Sequence, residues 1–431
     1  MNNMSKFQLA LTGIFAISIL VGVALFAMSK GTSSTQAANL VVWGTLPNQI
    51  FDAAYKNSSL KENSQIKISY VKKDEATFDA DLLEALANGA GPDIVILRED
   101  GVYKNRNKIF VIPHDNYSER AFKDNFIEEG ELFLTSEGVL ALPFMVDPLV
   151  MYWNRDLFTN NLISKPPQYW DEMYSLINTI TKRSSGGDIT LSAIALGGWA
   201  NITNAKEIIG MLLLQAGTPI TARNSQGVTS VLNSQFNYPV APSDSAVNFY
   251  TQFSNPSSPA YTWNRGLPTS LNLFLSGNLA TYIGFASEIA SIQQKNSNLN
   301  FDVTYVPQIR DASKRIVFGH MQALSIVKQS KQISAAFVAV NGLSETNSLK
   351  AVETVTNLPP VRRDLLAVKP TDAFRTVFYN SALLARSWID PDRTKSSAIF
   401  RDMIESIISG RKRQSEALSQ ANDELNLALS K

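Results

Sequence analysis

Between residues 39 and 97 the apolar positions switch repeatedly between two periods. Residues 39–45, NLVVWGT, form a short continuous apolar run that stops at Gly44, the pattern of a buried strand. Residues 51–55 then read as helix. Residues 66–71, IKISYV, place Ile66, Ile68 and Tyr70 on alternate positions, as a strand does. Phe78, Leu82 and Leu86 recur every fourth residue, one stripe of a helix that Asn88 and Gly89 end. Asp93 to Leu97 is a further continuous apolar strand. Strand, helix, strand, helix, strand predicts a mainly parallel sheet with helices on both faces. Ligands of such sheets sit beyond the carboxyl ends of the strands. That rule gathers Trp43, Gly44 and Thr45, after the first strand, with Arg98, Glu99 and Asp100, after the third, around one crevice.

The next apolar stretch is interrupted. Residues 141–158, ALPFMVDPLVMYWNRDLF, hold the acid Asp147 inside an apolar and aromatic run. An ionised side chain out of water is costly unless partnered, so Asp147 is expected either at a strand end facing a cleft or as a structural acid with a local partner. Residues 138–143 read as extended, Asp147-Pro148 as a break, and Leu149 to Trp153 as a further strand. Pro166-Pro167 precede a helix with Trp170, Met173, Ile177 and Ile180 on one face, and Trp153 and Trp170 read as core. Residues 190–290 hold further helices punctuated by Gly197-Gly198, Gly217 and Pro239. Near the end Phe400, Met403, Ile404, Ile407 and Ile408 form a stripe that Gly410 stops, and an amphipathic segment follows through Leu418 and Leu425. No repeat of 20–50 residues is visible.

The front of the chain differs from all of this. Phe7 to Met28 carries no charge. At 1.5 Å per residue these roughly 22 residues span about 33 Å, enough for a bilayer core, and longer than the apolar core of a secretory signal peptide. The segment therefore reads as a retained membrane anchor, although Thr35-Gln36-Ala37-Ala38 also offers small residues for a signal peptidase. Gly31 to Ala38, small and polar, would be a flexible tether of about 15 Å root-mean-square length.

At 431 residues two or three lobes are expected. A content of 45% hydrophobic and 18% charged residues is that of a folded protein, and a net charge of +1 gives no nucleic-acid footprint. The Arg411-Lys412-Arg413 triplet reads as a solvated helix start. Cysteine is absent, which removes disulfides, thiolate metal sites, cysteine nucleophiles and a lipidated cysteine. With two histidines, His114 and His320, histidine metal cages and Ser-His pairs are poorly supplied. Carboxylates, amides, hydroxyls and aromatics remain, an inventory suited to holding a polar ligand without cofactor or metal.

Several ordered segments now resemble those of a known family. These are LVVWGT, GPDIVIL, LPFMVDPLVMYWNRDLF, KPPQYWDEMYSLI, FLSGNLATYIGFASEI, FGHMQALSIVK, LPPVRRDLL and SGRKRQSEALSQA. Together they resemble the extracellular solute-binding proteins of ATP-driven importers, in particular the sugar-binding group that includes maltose-binding protein. The likeness covers nearly all of residues 39–431. It implies an α/β, two-lobed periplasmic-binding-protein-like fold with a hinge of chain crossings, here with an N-terminal transmembrane helix added. Residues 39–147 with 322–358 would form lobe one and residues 148–321 with 359–431 lobe two, after an anchor and linker over residues 1–38. The family is usually tethered through a lipidated cysteine; this chain has none, so residues 7–28 would be the tether. The implied function is a membrane-tethered, extracytoplasmic, monomeric receptor that captures a carbohydrate between its lobes and delivers it to an ABC-type permease, with no nucleic acid as partner.

By the same resemblance Asp147 lies where the family's crossing segment presents a carboxylate to sugar; the alternative is a turn-initiating Asp-Pro acid. Thr45 and Trp43 match the first contact loop, with Trp43 equally a core candidate, and Asp100 lies in the loop after the third strand, where an exposed acid is the competing reading. Trp199 with Asn201 matches the second-lobe contact loop. Phe285 stands where relatives stack an aromatic ring on sugar, and Trp388 in ARSWIDPD is a further platform or a packing residue. Two other functions compete. A carbohydrate hydrolase needs a second placed carboxylate, which the sequence does not supply, and G-x-S-x-G, phosphate-loop and H-E-x-x-H motifs are absent. A sensory or adhesive module could keep the same fold without transport.

Overall fold

The computed structural model describes residues 37–225 and 227–430. The apolar segment 7–28 lies outside them; among the described residues no helix is long and apolar enough to cross a membrane. The alternating start of the chain folds as expected. Strands β1 (Ala38–Gly44), β2 (Ile66–Lys72) and β3 (Ile94–Arg98) flank helices α1 (Asn48–Lys56) and α2 (Phe78–Ala87), and β1 pairs parallel with both β2 and β3. Phe78, Leu82 and Leu86 are the buried stripe of α2. A short helix, α3 (Glu99–Val102), follows β3 directly, so Glu99 and Asp100 form its first turn beyond the strand's carboxyl end.

Ten strands make one sheet. Its remaining members are β4 (Leu142–Asn154), β5 (Lys182–Arg183), β6 (Ile189–Ile194), β7 (Leu279–Phe285), β8 (Phe301–Thr304), β9 (Val317–Ile326) and β10 (Ala385–Arg386). The order is β2-β1-β3-β9-β4-β7-β6-β5, with β8 against β4 and β10 against β9. The sheet is mixed, where the opening pattern had suggested a mainly parallel one. The reason is that β9 and β4 run antiparallel to each other and to their outer neighbours β3 and β7.

The expected break at Asp147-Pro148 does not occur. β4 runs unbroken for 13 residues. Its apolar side chains are buried on both faces, as in a central strand. Proline's fixed φ suits extended backbone and costs only its N–H, and here Pro148 stands opposite Gly319 while Asp147 stands opposite His320.

These two long strands carry two cores. Leu142 to Val146 and Met321 to Ile326 belong to one hydrophobic cluster, with β1, β3 and Phe122. Leu149 to Tyr152, Val317 and Phe318 belong to the other, with Trp170, the buried face of α4 (Met173–Ile180) and the buried face of α5 (Ala205–Ala216). The change of core falls at residues 147–148 on β4 and 319–320 on β9, a two-stranded hinge. Downstream the division is less simple than a single return at residue 358. Leu358 joins the second core, but Val361, Leu365 and Leu366 join the first, contrary to their expected place in lobe two. Backbone pairing explains it, because Ile127 N–H donates to Val361 O at 3.0 Å and ties that segment to lobe one. The second core is completed by α6 (Arg393–Ile408) and α7 (Gln414–Leu429); of their expected stripes Phe400, Met403, Ile404, Leu418 and Leu425 are buried, and Ile407 and Ile408 are half-buried against the same core.

Candidate functional site

The hinge places charge where the lobes meet. Asp147 and His320 are cross-strand partners on β4 and β9. His320 Nδ1 lies 2.7 Å from Glu99 Oε1 in α3 of lobe one, and Nε2 lies 3.6 Å from Glu207 Oε1 in α5 of lobe two. Phe285, at the end of β7, stacks on the imidazole at 4.6 Å between centroids, and Phe318 meets it edge-on at 5.5 Å. Burial alone would depress the ring's pKa, but the Glu99 charge and the bonds to Glu207 and Glu99 outweigh it and raise the pKa to about 10. His320 is thus an imidazolium bridging both lobes. Burial also works against the Glu207 carboxylate, yet the same imidazolium keeps its pKa below the usual range.

Two further ion pairs surround this centre. Arg98 grips Asp100 with Nε at 3.0 Å and Nη2 at 2.5 Å, a two-point pairing that keeps the Asp100 carboxyl well below its usual pKa despite burial. Lys206 Nζ donates to Asp390 Oδ2 at 2.5 Å, and Ser396 Oγ and Asp392 N–H donate to the same buried carboxylate at 2.7 and 3.0 Å. Asp392 in turn accepts from Thr394 and Lys395 N–H and caps α6. This Asp-Pro-Asp loop holds Trp388, which is buried, 5.7 Å from Phe400 and with Lys206 Nζ 5.8 Å from its ring centroid.

A pocket of about 460 Å³ lies between the lobes, with Thr45, Arg98, Asp100 and Gln322 on one side and Asp392, Arg393 and Thr394 on the other. Deeper in, a cavity of about 10 Å³ is walled by Glu99, Asp100, Lys206, Glu207, His320 and Trp388, among others. The lobes are drawn together at the rim, where Lys104 Nζ lies 2.9 Å from Asp392 and Arg393 pairs with Glu75. Glu99, Asp100 and His320 bring potential metal-ligating atoms within 4.8 Å of one another. A protonated imidazole and a carboxylate already held by a guanidinium are poor ligands, so the trio suits an ion-pair network better than a metal.

Five of the residues singled out in the sequence meet here. Thr45 and Asp100 line the outer pocket, Asp100 and Trp388 the inner cavity, and Phe285 and Asp147 touch or face His320. Asp147 Oδ1 accepts from Ser287 N–H at 3.0 Å, and burial lifts its carboxyl to about 6. Three others stand elsewhere. Trp43 lies under Lys73, whose Nζ is 3.8 Å from the ring centroid, and packs on the first core. Trp199 is half-buried against the second core. Asn201 is spent on structure, its amide donating to Asn264 O and Leu267 O and accepting from Trp263 Nε1. None of the three lines either cavity.

The segment before Trp199 is set by Gly197, which has φ +94° and leaves only 2.5 Å between the site of a Cβ and Ser254 N. Gly197→Ala should cost about 1–3 kcal/mol through strain and overlap. Chemical denaturation of the variant beside the parent checks it.

Two lobes closing on a charged, aromatic-walled cleft at a two-stranded hinge define a receptor for a small polar solute. Residues 53–375 match the family described as bacterial extracellular solute-binding protein. Over 424 residues the chain is 22% identical to the galactooligosaccharide-binding protein of Bacillus subtilis (strain 168), covering 95% of this chain and 94% of that one. Its fold is similar to that of a cyclo/maltodextrin-binding protein solved with maltotetraose (TM-score 0.73, 16% identity, 91% of this chain and 98% of that one). It is also similar to that of the cyclic alpha-maltosyl-1,6-maltose binding protein from Arthrobacter globiformis (TM-score 0.70, 16% identity, 91% and 99%). The chain belongs to the bacterial extracellular solute-binding protein family, a family of binding proteins and not of enzymes.

Proposed function

We propose that the protein captures a sugar or oligosaccharide between its lobes and delivers it to an ABC-type permease, held outside the cytoplasm by a membrane anchor over residues 7–28. The observation that carries this reading is the hinge centre, where Asp147 faces His320 across β4 and β9, Phe285 stacks on that imidazole, and Trp388 walls the small cavity on which His320 also opens. Carboxylates accept hydroxyl hydrogen bonds strongly, and aromatic faces cover the C–H side of a pyranose. The sugar-binding names of the relatives point the same way. Thr45, Asp100, Asp147, Phe285 and Trp388 are the proposed contacts; Trp43, Trp199 and Asn201 are engaged within their own lobes.

Saccharide at 100 times its Kd should stabilise the chain by about 2.7 kcal/mol, a rise of several degrees in Tm, and should change tryptophan fluorescence through Trp388. Asp147→Asn should weaken binding about 10- to 100-fold, since hydrogen bonds to charged groups contribute about 1.5–3 kcal/mol. If a broad saccharide panel moves neither Tm nor fluorescence, the carbohydrate reading is wrong.

A further inference from the structure

The charged groups around the outer pocket are already paired with one another. Arg98 holds Asp100 at 2.5 Å, Lys104 Nζ lies 2.7 Å from Asp79 and 2.9 Å from Asp392, and Arg393 pairs with Glu75. A charged ligand group would find a counter-charge there only by breaking one of these pairs. The neutral amide of Gln322 stands on the same wall in a different condition. Its Oε1 is shielded from water and has no hydrogen-bond partner.

The hinge strands put it there. On β9 Gln322 is two residues from His320 and therefore shares its face, with His320 on the inner cavity and Gln322 on the outer pocket. It stands opposite Arg98, at the carboxyl end of β3, and opposite Met145 on β4. The β4–β9 register slips between Gln322 and Ala323, an irregularity of the kind that re-aims a side chain. The buried carboxyl of Glu129 is also unpartnered, but it stands behind Gly319, with Oε2 2.7 Å from the place of a Cβ, and lines neither cavity. Among the described residues Gln322 alone joins an unpartnered buried oxygen to a place on the outer pocket. A buried acceptor without a donor destabilises the chain that carries it, and a ligand donor in the pocket would remove that cost.

We propose that Gln322 is a specificity-determining ligand contact of the outer pocket, its carboxamide taking two neighbouring hydroxyls of an uncharged saccharide. This rests on the carbohydrate reading and gives it a residue on the hinge strand β9. One hydroxyl donates to Oε1, and the oxygen of the next accepts from Nε2. The last torsion of a glutamine is broad and two-fold, so half a turn brings either end of the amide to the ligand. Thr45 adds a hydroxyl to the same wall, and the volume of about 460 Å³ is within the usual range for a small-molecule site. A saccharide lacking either hydroxyl leaves one end of the amide unanswered, which is the source of the discrimination.

The test uses the full-length chain in detergent. A saccharide panel that includes malto- and galacto-oligosaccharides is titrated calorimetrically against the parent, and the tightest binder is carried to Gln322→Met. Methionine keeps the length of the side chain and loses both ends of the amide. It should weaken binding about 10- to 100-fold, as the loss of two neutral hydrogen bonds requires. The Tm of the unliganded variant should equal or exceed that of the parent, because the unpartnered acceptor is gone. Single-deoxy analogues of the same saccharide complete the cycle. Removing a hydroxyl that Gln322 holds should cost the parent about fivefold or more and the methionine variant less than about twofold. Binding by the variant within about twofold of the parent, or deoxy losses as large in the variant as in the parent, overturns the assignment and leaves the carbohydrate reading standing. A fall in unliganded Tm, up to failure to fold, marks Gln322 as a packing residue and overturns it as well. Failure of every saccharide to bind the parent removes both readings.

Discussion

His320→Ala should lower the stability of the folded chain by about 3–5 kcal/mol, the cost of removing one partner from a buried ion pair. The imidazolium stands between Glu99 at 2.7 Å and Glu207 at 3.6 Å, and Phe285 covers its face. Alanine would leave two carboxylates facing each other across a cavity sealed by aromatic rings. Glu99 would keep only its bond from Met321 N–H at 2.8 Å. His320→Gln retains a donor toward Glu99 without the charge and should fall between parent and alanine variant. Urea denaturation at pH 7 reads the series. A loss under about 1 kcal/mol for alanine would mean that the bridge contributes no more than a surface ion pair. The sign with pH is fixed as well. The folded pKa of about 10 lies above the ordinary histidine value of 6.5, so the stabilisation is complete below about pH 6.5 and disappears as pH rises through about 10.

Much of the fold was legible because its first third obeys simple periods. The runs at residues 39–45, 66–71 and 93–97 are strands within a residue or so, and the four-residue stripe of Phe78, Leu82 and Leu86 is the buried face of α2. The pattern failed at Asp147-Pro148 for a physical reason. A strand shared by two lobes is buried along its whole length, and the neighbouring glycine and histidine on β9 accommodate a proline and an acid that would elsewhere mark its end. The segment at 361–366 failed differently, through a backbone bond to Ile127 with no local signature.

The candidate site divides along the same line. Thr45 and Asp100 could be placed because ligand loops follow strand ends, and Asp147 because an acid in an apolar run requires explanation. His320, Glu207, Lys206, Asp390 and Glu129 did not stand out as a group, since they come from four parts of the chain far apart in sequence and only the folded hinge region brings them together. A signal was nevertheless present for some of them. His320 interrupts the apolar run VFGHMQALSI, and Lys206-Glu207 open the otherwise apolar helix AKEIIGMLLLQA. Charged residues in runs meant for a core identify where two cores meet. Trp43, Trp199 and Asn201 show the converse, because a residue can follow a strand end or a glycine pair and still be occupied with packing.

The stability of the chain should fall as pH rises from about 4.5 to 8, and Glu129→Gln should remove most of that slope. Burial, aided by the charge of Glu99, lifts the Glu129 carboxyl from its ordinary 4.5 to about 8, with His320 opposing and Asp147 adding to the rise. Ser387 stands close by, and the adjacent Glu128 is taken by Arg386. Between those two values the folded state keeps a proton that the unfolded state has released. Folding is therefore penalised increasingly with pH, by about 1.4 kcal/mol per unit, for a total of a few kcal/mol. Asp147, raised from 3.8 to about 6, adds a parallel decline at the acid end of the window. Glutamine has nearly the same volume and no proton to lose, so Glu129→Gln should be more stable than the parent at pH 8 and close to it at pH 4.5. From about pH 6.5 upward both proteins should also share the decline due to His320. Urea midpoints at half-unit intervals from pH 4.5 to 10 resolve the two contributions, and parallel curves for parent and variant between pH 6 and 8 would show that Glu129 is ionised in the folded chain after all.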